Sequence, residues 1–301
     1  VALFARQGAR VSFVDIDPQA GTALAEAVEA ECRDRPNFAT YDVTEAASFT
    51  MGIEAAAEDA IARLNDTERE SVTTGIQSLD AVTGGLFRGE YTILAARPGM
   101  GKPEVACSEF LRSSMAGAGV LYFSFEMTKQ ALAERCLSDL VWNTDTPIPY
   151  SLIRRRLVSD TEKARLSEAT KRLHALPFVI EDSALATVSE VIAKVRVARS
   201  IFERRERTID VVVLDHIGKL RASSRYAGNK VQETGEISAA LAGLAKDMDV
   251  SVVALSQLSR QVEQRDNRRP ELADLRNSGD LEQDADNVLF LYRSAYYLER
   301  K

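Results

Sequence analysis

The stretch Tyr91-Thr92-Ile93-Leu94-Ala95-Ala96-Arg97-Pro98-Gly99-Met100-Gly101-Lys102-Pro103 decides the fold. Its first six residues, all apolar or small but for one Thr, read as a strand over 91–96, and the glycines and prolines that follow cannot extend it. A helix from Lys102 or Pro103 to Met115 comes next. Strand, glycine-rich loop and helix in that order suit an anion: small residues let backbone N–H groups converge on it, while the helix N-terminus and one lysine add positive charge. The generic phosphate-loop pattern has Gly first and Ser or Thr last, where this chain has Ala96 and Pro103. Alone, the loop also reads as a plain Gly-Pro turn. With its context, Arg97, Pro98, Gly99, Met100, Gly101, Lys102 and Pro103 are the candidate nucleotide-binding residues.

The context is a series of apolar strands ending in polar groups. Strand 119–124 leads to Glu126, 24 residues after Lys102, and an acid there can polarise water attacking a γ-phosphate. Strand 210–214 leads to Asp215, which could hold Mg2+ through water. Strand 251–255 delivers Ser256 and Gln257. In an open parallel sheet the carboxyl ends of the strands line the binding crevice, so these groups should converge. For either acid the alternative is a solvated helix cap. Two charged amphipathic helices over 151–176, a strand at 178–181, helices at 187–206 and 231–248 and a strand at 287–292 complete an α/β pattern. Strands this apolar imply a mostly parallel sheet with helices on both faces.

Composition and periodicity change near Ser71. Residues 46–69 are rich in Ala and Glu, with Ile53, Ala57, Ala60, Ile61 and Leu64 at helical spacing, and read as a surface or linker helix. Residues 1–70 hold 6 Lys and Arg against 14 Asp and Glu, a net charge of -8; the other 32 basic and 31 acidic residues give +1, within a total of -7. The first region is a poor candidate for nucleic-acid contact, and bulk charge gives no sign of a basic channel in the second. With 45% hydrophobic residues and no apolar run of membrane-spanning length, a globular cytoplasmic product without membrane contact is expected. The cysteines Cys32, Cys107 and Cys136 are too widely spaced for a paired metal-ligand pattern. Val1 reads as the trimmed edge of a longer coding sequence.

Two resemblances follow. FARQGARVSFVDIDPQAG with YDVTEAASF is similar to the second strand, helix and third strand of short-chain dehydrogenases, which would put Asp15 at the adenosine ribose and Asp42 near the adenine. The glycine-rich turn such a fold needs does not precede Val1, so residues 1–49 are expected to form only a partial Rossmann-like βαβ segment. Tyr226 and Lys230 copy that family's catalytic spacing in the wrong domain context, and are read as coincidence.

The second resemblance covers about residues 70–300. TTGIQSLDAVTGGLFRGEY, ILAARPGMGKP, FSFEM, VVLDHIGKL, VSVVALSQLSRQVEQR and LADLRNSGDLEQDADNVLFLYR resemble, in order, the motifs of DnaB-type replicative helicases. The resemblance implies a RecA-like P-loop NTPase over 71–301, and the linker helix read from periodicity is bounded at 50–70. In that family a ring hexamer hydrolyses ATP, with Mg2+, and translocates on single-stranded DNA. Carried over, Lys102 and Glu126 are catalytic, Asp215 lies on the metal side, and Gln257 senses the γ-phosphate. Arg276, Asn277 and Gly279, in the segment 274–279, would approach DNA, and Arg135 and Arg196 match arginines near the core. Pro103 stands for the usual Thr, His216 and Gly218 for a common Tyr and Gln, and Asn277 for a Glu. The chain is also expected to stop short of the segment that supplies basic residues to the neighbouring subunit's nucleotide. The implied function is an ATP-dependent DNA helicase motor; the alternative is a non-catalytic oligomerising or DNA-binding module with a decayed active site.

Overall fold

The computed structural model describes residue 58 and residues 71–298, apart from 143, 145, 184–185, 223–228 and 276–278. The chain divides between Arg69 and Glu70. The expected βαβ segment over 1–49, with Asp15 and Asp42, lies outside the described residues, as does the expected linker helix except for Glu58, and so does Tyr226.

In the second unit, a short antiparallel pair, β1 (Ser71–Val72) with β2 (Leu86–Phe87), brackets helix α1 (Gln77–Thr83). The helix stops at Gly84, whose φ of 80° is the left-handed conformation that glycine adopts without steric cost. There follow β3 (Tyr91–Ala96), α2 (Lys102–Met115), β4 (Val120–Ser124), α3 (Lys129–Leu140), α4 (Tyr150–Arg154), α5 (Asp160–Ala175) and β5 (Phe178–Asp182). Then come α6 (Val188–Glu203), β6 (Val211–Asp215), α7 (Lys230–Met248), β7 (Ser251–Gln257), α8 (Gly279–Asp284), β8 (Asn287–Leu291) and α9 (Ser294–Leu298). Reciprocal capping boxes, Ser159 with Glu162 and Thr187 with Glu190, start α5 and α6 by satisfying first-turn N–H groups.

Six strands form one sheet in the order β5-β4-β6-β7-β3-β8, every neighbouring pair parallel. Strand alternation explains why both faces need cover. Ile93, Leu121, Leu214, Val252 and Ala254 point to one face and pack with Val191 and Val195 of α6 and Leu241 and Leu244 of α7. Leu94, Val120, Val213, Val253 and Leu255 point to the other, against Ala106, Phe110 and Leu111 of α2 and Leu132 of α3. Between β3 and β4 the chain passes over the positions of β7 and β6, so the loops after these strands open on one crevice. Among the described residues no helix is long and apolar enough to cross a membrane.

Candidate nucleotide site

Register fixes what meets at the carboxyl edge of the sheet. Ala96, the last residue of β3, is paired with Gln257 at the end of β7, and Ser124 at the end of β4 with Asp215 at the end of β6. The loop after β3 turns tightly, Met100 N–H donating to the Arg97 carbonyl at 3.2 Å. Gly99 has a φ of 81°, and a Cβ there would come within 2.9 Å of the Tyr296 ring, so side-chain-free backbone is needed on both counts. Gly101, at φ 89°, forms the N-cap of α2, and Pro103 follows in the first helical turn. That placement suits proline, since a first-turn N–H has no partner inside the helix.

A cavity of about 580 Å³ opens above this edge, lined by Ala96, Arg97, Pro98, Gly99, Gly101, Lys102, Pro103, Glu104, Glu126, His216, Gln257 and Arg293. Of the predicted site residues, all of the loop but Met100 are on this wall, with Glu126 and Gln257. Met100 is instead buried against Ala96 and Tyr297. The Arg97 guanidinium is engaged on the protein itself: it donates to the Leu258 carbonyl at 2.8 Å and to Glu263 Oε1 at 2.9 and 3.0 Å. A second cavity of about 430 Å³ shares Glu126, His216 and Gln257 with the first and continues past Lys219, Lys230 and Thr234.

Lys102 is 8% exposed, and its Nζ lies 3.3 Å from the Ser256 carbonyl. Burial lowers its pKa, while the carboxylates of Asp215 and Glu126 oppose that shift. Asp215 lies behind the cavity wall, fully buried. Burial raises its pKa, and Lys102 and a hydrogen bond from the Tyr122 hydroxyl, 3.0 Å from Oδ2, pull it back down. Its Oδ1 has no hydrogen-bond partner. Glu126 is partly exposed and meets His216, Nε2 to Oε1, at 3.1 Å. Burial, then Lys102, hold the His216 pKa below its ordinary value. Among the described residues no group of three or more His, Cys, Asp or Glu side chains is placed to hold a metal ion.

Arg276 and Asn277 are outside the described residues. The segment predicted as a loop over 274–279 is partly ordered into helix: Asp274 ends a 3-10 turn, is 5% exposed and binds Arg265 at 2.5 Å, and Gly279 opens α8. Arg135 pairs with Glu104 at 2.6 Å and covers the Tyr150 ring at 4.5 Å, Arg196 is exposed, and Lys230 pairs with Glu233 at 2.6 Å. Sequence reasoning missed Tyr296 and Tyr297, which back the loop from α9, and the His216–Glu126 contact. The Tyr-Tyr pair after the last apolar strand was the available signal for the first.

A parallel sheet covered on both faces, with a glycine loop leading from β3 into a lysine-headed helix, defines a P-loop NTPase of RecA-like fold. Comparison with known proteins narrows the class: residues 71–301 match the DnaB-like helicase C terminal domain, and the chain belongs to that family. It is 36% identical over 230 residues to a probable replicative DNA helicase of Trieres chinensis, covering 75% of this chain and 48% of the relative. It is also 36% identical over 233 residues to the replicative DNA helicase DnaB of Geobacillus stearothermophilus, covering 77% of this chain and 49% of the relative. The chain therefore spans about half the length of these curated relatives. A solved ATPase domain aligns with a TM-score of 0.73 at 31% identity, covering 83% of this chain and 86% of that one. A solved DnaB-like replicative helicase, described with its interactions with primase, aligns with a TM-score of 0.69 at 30% identity, covering 94% and 64%.

Proposed function

We propose that the chain is an ATP-hydrolysing motor domain that couples turnover to movement on single-stranded DNA as part of a homo-oligomeric ring, the hexameric replicative-helicase activity. The observation that carries this reading is the convergence of Lys102, Glu126 and Gln257 on one cavity, with the buried Asp215 behind them. The loop 96–103 holds the phosphates of ATP through backbone N–H groups and the Lys102 ammonium. Glu126 takes the proton of the attacking water, and Gln257, at the wall between the two cavities, contacts the terminal phosphate. The orphaned Oδ1 of Asp215 fits a metal-bound water, and the nucleotide phosphates would complete the coordination. Mg2+ supplies charge that offsets what develops on the phosphoryl oxygens. Arg276, Asn277 and Gly279 are the proposed DNA contacts.

A second reading, a non-catalytic module that kept the fold, is favoured by one observation: Pro103 offers neither the hydroxyl nor the backbone N–H of the usual Thr. Phosphate release from ATP with and without a single-stranded oligonucleotide separates the two. Magnesium-dependent release that DNA accelerates is expected of a motor; DNA binding without release would establish the module instead.

A further inference from the structure

Glu126 stands just past the end of β4 with its side chain 40% exposed. A carboxylate with that freedom samples several rotamers, whereas a group that must act on one water gains from a fixed direction. The His216 ring can supply it. Gly218 N–H donates to His216 Nδ1 at 3.0 Å, so Nδ1 carries no proton in this arrangement. The ring proton is then on Nε2, 3.1 Å from Glu126 Oε1, and Nε2–H donates to the carboxylate. The ring itself is largely enclosed, its side chain 12% exposed. Its place depends on Gly218: a Cβ there would lie 2.7 Å from Cε1 and 2.9 Å from Nδ1. Geometry makes His216 and Gly218 one unit, a ring and the space it needs.

We infer that the His216–Gly218 pair is a positioning device for Glu126, in which a backbone amide fixes the imidazole tautomer and the imidazole fixes the carboxylate. The inference rests on the reading of Glu126 as the group that acts on water, and it assigns His216 no contact with substrate.

The test has two arms on the full chain. With histidine labelled by nitrogen-15, only His174 and His216 give ring signals, and His174→Gln assigns them. In slightly alkaline buffer the His216 Nδ1 should resonate as an unprotonated nitrogen, and Glu126→Ala should move the Nε2–H signal and leave Nδ1 unprotonated. In the second arm, single-turnover hydrolysis by His216→Ala at saturating magnesium-ATP should fall about tenfold or more, the scale of one hydrogen bond to a charged group. Gly218→Ala should behave likewise, and His216→Gln, which keeps a donor near the Nε2 position, should recover most of the rate. A proton on Nδ1, an Nε2–H signal indifferent to Glu126→Ala, or a His216→Ala rate at or above wild type would overturn the inference. A wild-type chain that binds ATP without hydrolysing it sinks the role of Glu126 rather than the contact, which the ring spectra then decide alone.

Discussion

Replacing Pro103 with Thr tests how much of the site the loop alone controls. In the structure the first helical bond of α2 beside the loop runs from Val105 N–H to the Gly101 carbonyl at 2.9 Å, bypassing residue 103. The proline therefore interrupts no helix bond, and Pro103→Thr should change folding stability by no more than about 0.5 kcal/mol. The effect on ligand is of another size. Threonine adds a backbone N–H beside the phosphates and a hydroxyl for the cation, and one hydrogen bond to a charged group is worth about 1.5–3 kcal/mol. Affinity for magnesium-ATP should rise about ten- to a hundredfold, with a smaller gain when magnesium is removed. Titration of a fluorescent ATP analogue with and without magnesium, beside single-turnover hydrolysis and a thermal melt, reads all three quantities. Unchanged affinity and turnover at unchanged stability would refute the reasoning, because the residue would then not face the ligand.

Further expectations concern stability and packing. Burial pushes the Glu109 carboxyl up to about 7 from an ordinary 4.5, with Arg112 opposing and Asp80 adding to the shift. The folded chain thus keeps a proton that the unfolded chain releases, so stability should fall as pH rises from about 4.5 to about 7, by about 3 kcal/mol in all. Glu109→Gln should remove that slope in urea melts across the range; a variant with the wild-type pH dependence would contradict the burial argument. Leu241, fully buried between α7 and the sheet, should cost about 2–5 kcal/mol on truncation to Ala, read as a lower urea midpoint. Arg97→Met strips the Leu258 carbonyl and Glu263 of their donor and should destabilise by about 1–3 kcal/mol. An undiminished melt would show that the guanidinium is free for ligand.

Much of the fold was legible because its signals are local. The runs 91–96, 211–214 and 251–255 are apolar but for Thr92 and Ser251, and strands covered on both faces are built that way. The glycine loop was readable because two glycines sit between a strand and a lysine-headed helix. Pairings across long separations were not legible. The side chain of Arg97 is engaged by Glu263, 166 residues on. His216 faces Glu126 across 90 residues, and no periodicity carries that contact. The pairing of β1 with β2 escaped because two-residue strands are too short to show alternation. The pairing of Asp274 with Arg265, nine residues away, and the start of α8 at Gly279 carried no local signal either.

The crevice at the ends of β3, β4, β6 and β7 should take a nucleoside triphosphate through Lys102. Equilibrium titration of a fluorescent ATP analogue against the wild-type chain and Lys102→Ala, with a melt to show that both are folded, tests it directly. Saturable magnesium-dependent binding by the wild type, weakened about tenfold or more in the variant by loss of a charge-assisted contact, is the predicted result. Equal affinity in the two folded proteins, or no saturable binding by the wild type, would contradict it.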